Sequence, residues 1–123
     1  MDADERCRET VRAYFRAFRD RDRVTLERIL APKLIHRSPF GEHRDRDRML
    51  DQVWPHLGPI WAEEVTVYGR APEFLAHYRH GGASRGHLVE RFVFDGERIV
   101  EIEVYLGVGA LPTEGPEGGG PAG

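Results

Sequence analysis

Cys7 is the only cysteine among 123 residues, so the chain can form no internal disulfide and no cysteine-based zinc site. Long apolar runs are missing too. The opening MDADERCRET is charged throughout and lacks the apolar core of a signal peptide, and no stretch approaches the length that spans a bilayer. The expectation is a soluble, cytoplasmic protein with no membrane partner. Neither sign of charge dominates: 18 basic and 21 acidic residues leave a net charge of -3, which gives no electrostatic footing for nucleic acid. RAFRDRDR (16–23) and EHRDRDR (42–48) alternate in sign and read as solvated helix ends or loops rather than a basic stripe.

Several chemical signatures are also lacking. The glycines of GGASRG (81–86) open no helix, so neither GxGxxG nor a Walker loop can be read and no nucleotide cofactor is expected. No HEXXH-type helix occurs, and His77, His80 and His87 match no standard ligand spacing, so no metal is expected. A GxSxG nucleophile elbow is absent as well.

What remains is an ordinary globular composition, 40% hydrophobic and 32% charged, in a length that fits one domain. Cys7, Val11, Tyr14, Phe15 and Phe18 fall at helical spacing and predict a first helix over about Asp4 to Arg19. Asp22 can cap a second, short helix that buries Leu26, Ile29 and Leu30 and is closed by Pro32. KLIHRS (33–38) then reads as a short strand and SPFG (38–41) as a turn. From Asp45 a third helix is expected, with Leu50, Val53, Trp54 and Leu57 as its inner stripe up to Gly58 and Pro59.

After Trp61 the periodicity changes. WAEEVTVYGR, EFLAHYRH, RGHLVERFVF and RIVEIEVYLG are rich in β-branched and aromatic residues and read as strands, the last two joined by a hairpin at DGE (95–97). In the last of them Val100, Ile102, Val104 and Leu106 are expected to face inward, against Glu101, Glu103 and Tyr105. Residues 107–123 hold seven glycines and three prolines and read as a flexible tail, so the folded domain is expected to span 1–107, with 108–123 as the tail. Helices first and strands after predict an α+β class, with helices packed on one face of a curved, mainly antiparallel sheet. A space between the two layers would be the natural place for chemistry.

HLVERFVFDG (87–96) poses the sharpest chemical question. As a strand it places Leu88, Glu90, Phe92 and Phe94 on one face, which puts a carboxylate among large apolar groups. Such a group must be paired, hydrogen-bonded or held protonated by a raised pKa. The opposite phase, with Val89 and Val93 inward, also makes an apolar face.

The order of elements, the SPFG turn and the ending ERFVFDGERIVEIEVYLG (90–107) resemble the nuclear transport factor 2-like superfamily, within it the ketosteroid isomerase and SnoaL-like polyketide cyclase branch. The resemblance covers roughly residues 7–107 and rests on several weak motifs in the right order. It implies a cone-shaped α+β barrel, usually a homodimer, with an apolar pocket and no cofactor. It also implies that Tyr14 donates a hydrogen bond to a substrate oxyanion and that Glu90 is a second, protonated acid sharing that oxyanion. Phe18, Phe40, Trp54, Phe92 and Leu106 become pocket walls on the same basis.

One departure stands out: the isomerase branch carries its aspartate base just before the proline of the turn, and here that position is Ser38. A serine hydroxyl is too weak a base to take a carbon-bound proton unaided. His36, two residues upstream on the same side of the strand, is the candidate replacement base or proton shuttle, since an ordinary imidazole titrates near neutrality. An ionised Glu90 acting as the base is the alternative.

Each residue also has a structural reading: Tyr14 as packing on the core stripe, His36 as a hydrogen-bonded strand residue, Ser38 as a turn cap. The functional expectation is a cofactor-independent cyclase, isomerase or dehydratase acting on an apolar carbonyl- or enol-bearing metabolite such as a polyketide. The rival is a binding protein that sequesters a hydrophobic small molecule. A third is a sheet that serves dimerisation alone.

Overall fold

The computed structural model describes residues 2–39, 41–56, 62–80 and 86–106. Helix α1 (Ala3–Arg19) and helix α2 (Arg23–Ile29) come first, followed by strands β1 (Leu30–Ser38) and β2 (Gly41–His43). Helix α3 (Arg46–Val53) runs into a 3-10 turn at Trp54–His56. Strands β3 (Ala62–Arg70), β4 (Glu73–His80), β5 (His87–Asp95) and β6 (Arg98–Leu106) complete the fold. Leu57, Gly58, Pro59, Trp61 and the 107–123 segment lie outside the described residues.

Each helix begins on an aspartate whose carboxylate accepts a backbone N–H: Asp2 from Glu5 at 2.8 Å, Asp22 from Thr25 at 3.1 Å and Asp45 from Arg48 at 2.9 Å. Helix α1 buries Cys7, Val11, Tyr14 and Ala17, with Phe15 and Phe18 flanking the stripe. The inner side of α3 is Met49 and Leu50, with Val53 and Trp54 half-buried and packed against the same core, so the stripe read from the spacing holds at Leu50, Val53 and Trp54 and gains Met49. Leu30 and Pro32 also differ from expectation. The helix stops at Ile29 and the strand starts at once, with Leu30 as its first residue. Pro32 is tolerated inside β1 because β2 pairs only with residues 36–38, so among the described residues no strand pairs with the chain around Pro32 on that side.

The sheet order is β2-β1-β6-β5-β4-β3. Four of the pairings are antiparallel and the β1–β6 pairing is parallel, so the sheet is mixed, mainly antiparallel and open at β2 and β3. The helices cover one face, where Leu34, Phe74, Ala76, Phe92, Ile99 and Ile102 are fully buried. Along β5 burial alternates strictly and puts Leu88, Glu90, Phe92 and Phe94 inside, which resolves the phase of that strand.

The expected inward position of Val100 is not observed. A bulge between Val93 and Phe94 shifts the register, so Phe94 faces Ile99 and it is Ile99 that is buried before the alternation resumes at Ile102. The hairpin turn itself is Gly96-Glu97, closed by the Asp95–Arg98 pair, and Gly96 carries the positive φ of 64° that the first turn position demands.

Gly69, near the end of β3, fixes the approach of β3 to β4. Its φ is +108°, and an added Cβ would lie 2.7 Å from the Glu73 carbonyl oxygen and 3.2 Å from the Phe74 Cα. Both obstacles are backbone in a paired strand, so neither can swing aside. Gly69→Ala is expected to destabilise the protein by about 2 kcal/mol through backbone strain and overpacking. A urea midpoint equal to that of the wild type would show that the hairpin yields.

Candidate active site

Glu90 sits in the middle of β5 and is 6% exposed. Its partners across the sheet are Ala76 on β4 and Val104 on β6. The small Ala76 leaves room for the next inward residue of β4, Tyr78, to reach diagonally to the carboxylate. Tyr78 Oη donates a short hydrogen bond to Glu90 Oε2, and Glu90 Oε1 is buried with no partner among the described residues. Burial pushes the Glu90 carboxyl up to about 7, with the Tyr78 hydrogen bond pulling the other way. At neutral pH this side chain therefore exchanges readily between acid and carboxylate.

Tyr14 comes from the buried face of α1 and packs edge-on against Phe15, Phe18 and Phe92, with ring centroids 5.2, 4.9 and 5.2 Å away. Burial first, and the nearby Glu90 charge second, raise its phenol well above the ordinary value, so it stays protonated. Tyr78 is raised by the same two causes in the same order. Phe15 closes the group, 4.9 Å from the Tyr78 ring and 5.9 Å from Phe92. Two phenols and one carboxyl group thus share an aromatic enclosure. The donor on Glu90 is Tyr78, and no hydrogen bond joins Tyr14 to Glu90 among the described residues.

Sequence alone does not single out Tyr78, yet its signal is present. EFLAHYRH alternates, and once Phe74 faces inward, Ala76 and Tyr78 must follow it. Its pairing with Glu90 depends on register, which no single strand reveals.

His36 is on the same inner face but elsewhere. It pairs with Ile102 of β6, which pairs with Phe92 of β5, so two strand spacings and two residues along the strand separate it from Glu90. That is about 12 Å between Cα atoms. His36 lies directly opposite His43 of β2, with ring centroids 6.2 Å apart. Burial first, and His43 second, lower its pKa to about 4. The expectation of an imidazole titrating near neutrality is therefore corrected: His36 is neutral at pH 7.

Ser38 is half-buried at the end of β1 and lines a surface depression of about 540 Å³ with Val104, Glu103 and Tyr105. Phe18 and Trp54 continue the aromatic lining away from Tyr14, with centroids 6.2 Å apart, and the Arg21 guanidinium lies 5.1 Å from the Trp54 ring centre. Phe92 is fully buried beside Tyr14. Phe40 and the side chain of Leu106 lie outside the described residues.

Among the described residues no three His, Cys, Asp or Glu side chains converge as a ligand set for a metal ion. His77 and His87 instead stack on the outer sheet face, 5.1 Å apart. Among the described residues, no helix is long and apolar enough to cross a membrane.

Comparison with known proteins gives likeness in structure and none in sequence families: no family model matches the chain, and no curated protein matches it. An NTF2-like protein of unknown function from Cytophaga hutchinsonii superimposes with a TM-score of 0.74 at 11% identity, covering 82% of this chain and 89% of that one. An LEH-like epoxide hydrolase of M. tuberculosis gives 0.72 at 18% identity over 86% of each chain. A provisionally assigned polyketide cyclase of Sinorhizobium meliloti gives 0.65 at 22% identity, over 79% of this chain and 94% of that one. Three helices on one face of a six-stranded mixed sheet, matched over most of the length of these structures, give the chain the nuclear transport factor 2-like α+β fold.

Proposed function

We propose that the protein is a cofactor-independent acid/base enzyme acting on a small apolar molecule with an enolisable carbonyl, and that Glu90 moves the proton. The observation that carries this is the buried Glu90 carboxyl, poised at about 7, with one oxygen held by Tyr78 and the other unpartnered. Glu90 Oε1 takes a proton from the carbon beside the carbonyl: the C–H bond breaks, the O–H bond forms, and the electron pair moves to the carbonyl oxygen as an enolate. Tyr14, kept protonated by burial, donates a hydrogen bond to that oxygen. Return of the proton to a different carbon gives isomerisation, and attack of the enolate on a second carbonyl of the same molecule gives cyclisation. The cyclase and hydrolase names among structural neighbours support an enzyme of this general kind. This reading favours the ionised-Glu90 alternative over His36 as base, because His36 is neutral and weakly basic at pH 7.

Deuterium uptake from D2O into a panel of bicyclic ketones, followed by proton NMR, tests the proposal. The rate is expected to rise with pH through a midpoint near 7, as Glu90 ionises. Tyr78→Phe removes a hydrogen bond that favours the carboxylate, so its midpoint is expected to move to higher pH. An unmoved midpoint in that variant would detach Tyr78 from the chemistry. Binding of the ketones with no uptake in the wild type would leave a carrier of hydrophobic molecules in place of an enzyme.

A further inference from the structure

Glu90 has four nearest neighbours on its own face of the sheet: Leu88 and Phe92 along β5, Ala76 across on β4 and Val104 across on β6. Leu88, Phe92 and Ala76 are buried, and the rings of Tyr14, Phe15 and Tyr78 pack around the same group. Of the four, Val104 alone is half-buried. The carboxyl group is therefore walled in on every side of the sheet but one.

The thin side follows from the strand pairing. β1 pairs with β6 as far as Arg37–Glu103, while β6 runs on to Leu106, and among the described residues no strand pairs with it on that flank beyond Glu103. Val104 is thus backed by β5 on one side only. The depression of about 540 Å³ lies at this place, lined by Val104 together with Ser38, Glu103, Tyr105, Arg37 and Glu42. One side chain borders both the carboxyl group and the depression. Phe15 and Val65 are also half-buried near Tyr78 and Leu88, but neither lines the depression. Phe15 is held by ring contacts to Tyr14, Tyr78 and Phe92, and Val65 lies two strands away from Glu90 on β3.

We propose that Val104 sets the size of the ligand: the carbonyl end lies at Glu90, and the rest of the molecule passes Val104 into the depression. The claim rests on the acid/base reading of Glu90 given above. Branching at Cβ restricts the Val104 rotamer, so its two methyl groups form a wall that yields little. Against such a wall, one methylene more or less changes discrimination by about tenfold or more. Arg37, which lines the depression, is held by Glu42 and Glu101, an arrangement that favours a neutral molecule over an anion.

The test uses the full chain and two probes, α-tetralone and its analogue with two methyl groups on the benzylic carbon remote from the one that exchanges. Both present the same enolisable carbon, so only bulk differs. In the wild type, kcat/KM for deuterium uptake is expected to favour the smaller ketone by about tenfold. Val104→Ala is expected to bring the two within about twofold, and Val104→Ile to widen the gap. Loss of packing alone would lower both rates together, so the ratio separates a size filter from a structural role. Val104→Thr keeps the shape and should keep the ratio, whatever it does to the individual rates. Val65→Ala removes equal volume from a half-buried strand position and should leave the ratio unmoved. No discrimination in the wild type, a wild-type ratio in Val104→Ala, the same change of ratio in Val65→Ala, or binding of neither ketone would each overturn the proposal. Calorimetry with the same ketones separates it from the acid/base reading. Affinities that shift with Val104 in the absence of uptake keep the size filter and remove Glu90 chemistry; uptake with a ratio indifferent to Val104 does the reverse.

Discussion

Glu90→Gln is expected to lower ketone deuterium exchange by a factor of about 10² to 10⁴, the usual contribution of one positioned acid/base group. Glutamine keeps the shape and an acceptor for Tyr78 but cannot carry the proton. The same change is expected to reshape stability against pH. Glu90 has a folded pKa of about 7 against an ordinary 4.5, so between those values the unfolded chain has released a proton that the native state still holds. Stability from this group is therefore full below 4.5 and lost as pH rises to about 7, a change of about 3 kcal/mol.

His36 works in the opposite sense. Its folded pKa of about 4 lies below the ordinary 6.5, so its stability is full above 6.5 and lost, again by about 3 kcal/mol, as pH falls to 4. In the wild type the two slopes oppose each other and the net profile between pH 4.5 and 6.5 is expected to be shallow. Glu90→Gln should unmask His36, giving stability that climbs with pH across that window. Urea midpoints at several pH values measure this directly, and parallel curves for wild type and variant would mean that Glu90 titrates in the folded protein as it does in water.

The parts of this site that sequence makes legible are those set by a single strand or helix. The alternation of HLVERFVFDG places Glu90 inside because burial alternates without a break from Leu88 to Phe94, the extra residue at the register shift being Val100 on β6. Tyr14 follows equally from the helical stripe it shares with Cys7 and Val11. Properties that depend on what crosses from another element are not legible. The low pKa of His36 depends on burial beneath the helices and on His43, which sits in a strand of three residues, too short to show any period. Ile99 replaces Val100 in the core because of a bulge that no composition rule announces. Leu30 leaves the helix for the strand with no intervening loop, so a helical apolar spacing and a strand start overlap on one residue.

Phe92→Ala carries the second large effect. Phe92 is fully buried, lies between Phe74 and Ile102 in the sheet and supports the rings of Tyr14 and Phe15 from below. Removing the ring is expected to destabilise the protein by about 3–5 kcal/mol, the sum of lost transfer energy and the cavity left behind. The chemical consequence follows from position, since Phe92 is the inward neighbour of Glu90 along β5. A void there admits water, weakens the desolvation that raises the Glu90 pKa, and should move the exchange midpoint from about 7 toward 4.5. Phe92→Leu keeps most of the volume and is expected to fold with the midpoint almost unmoved. If the alanine variant, folded at low temperature, keeps a midpoint at 7, then burial is not what raises this carboxyl, and the enclosure of Tyr14, Phe15 and Phe92 has no part in setting the proton affinity of the site.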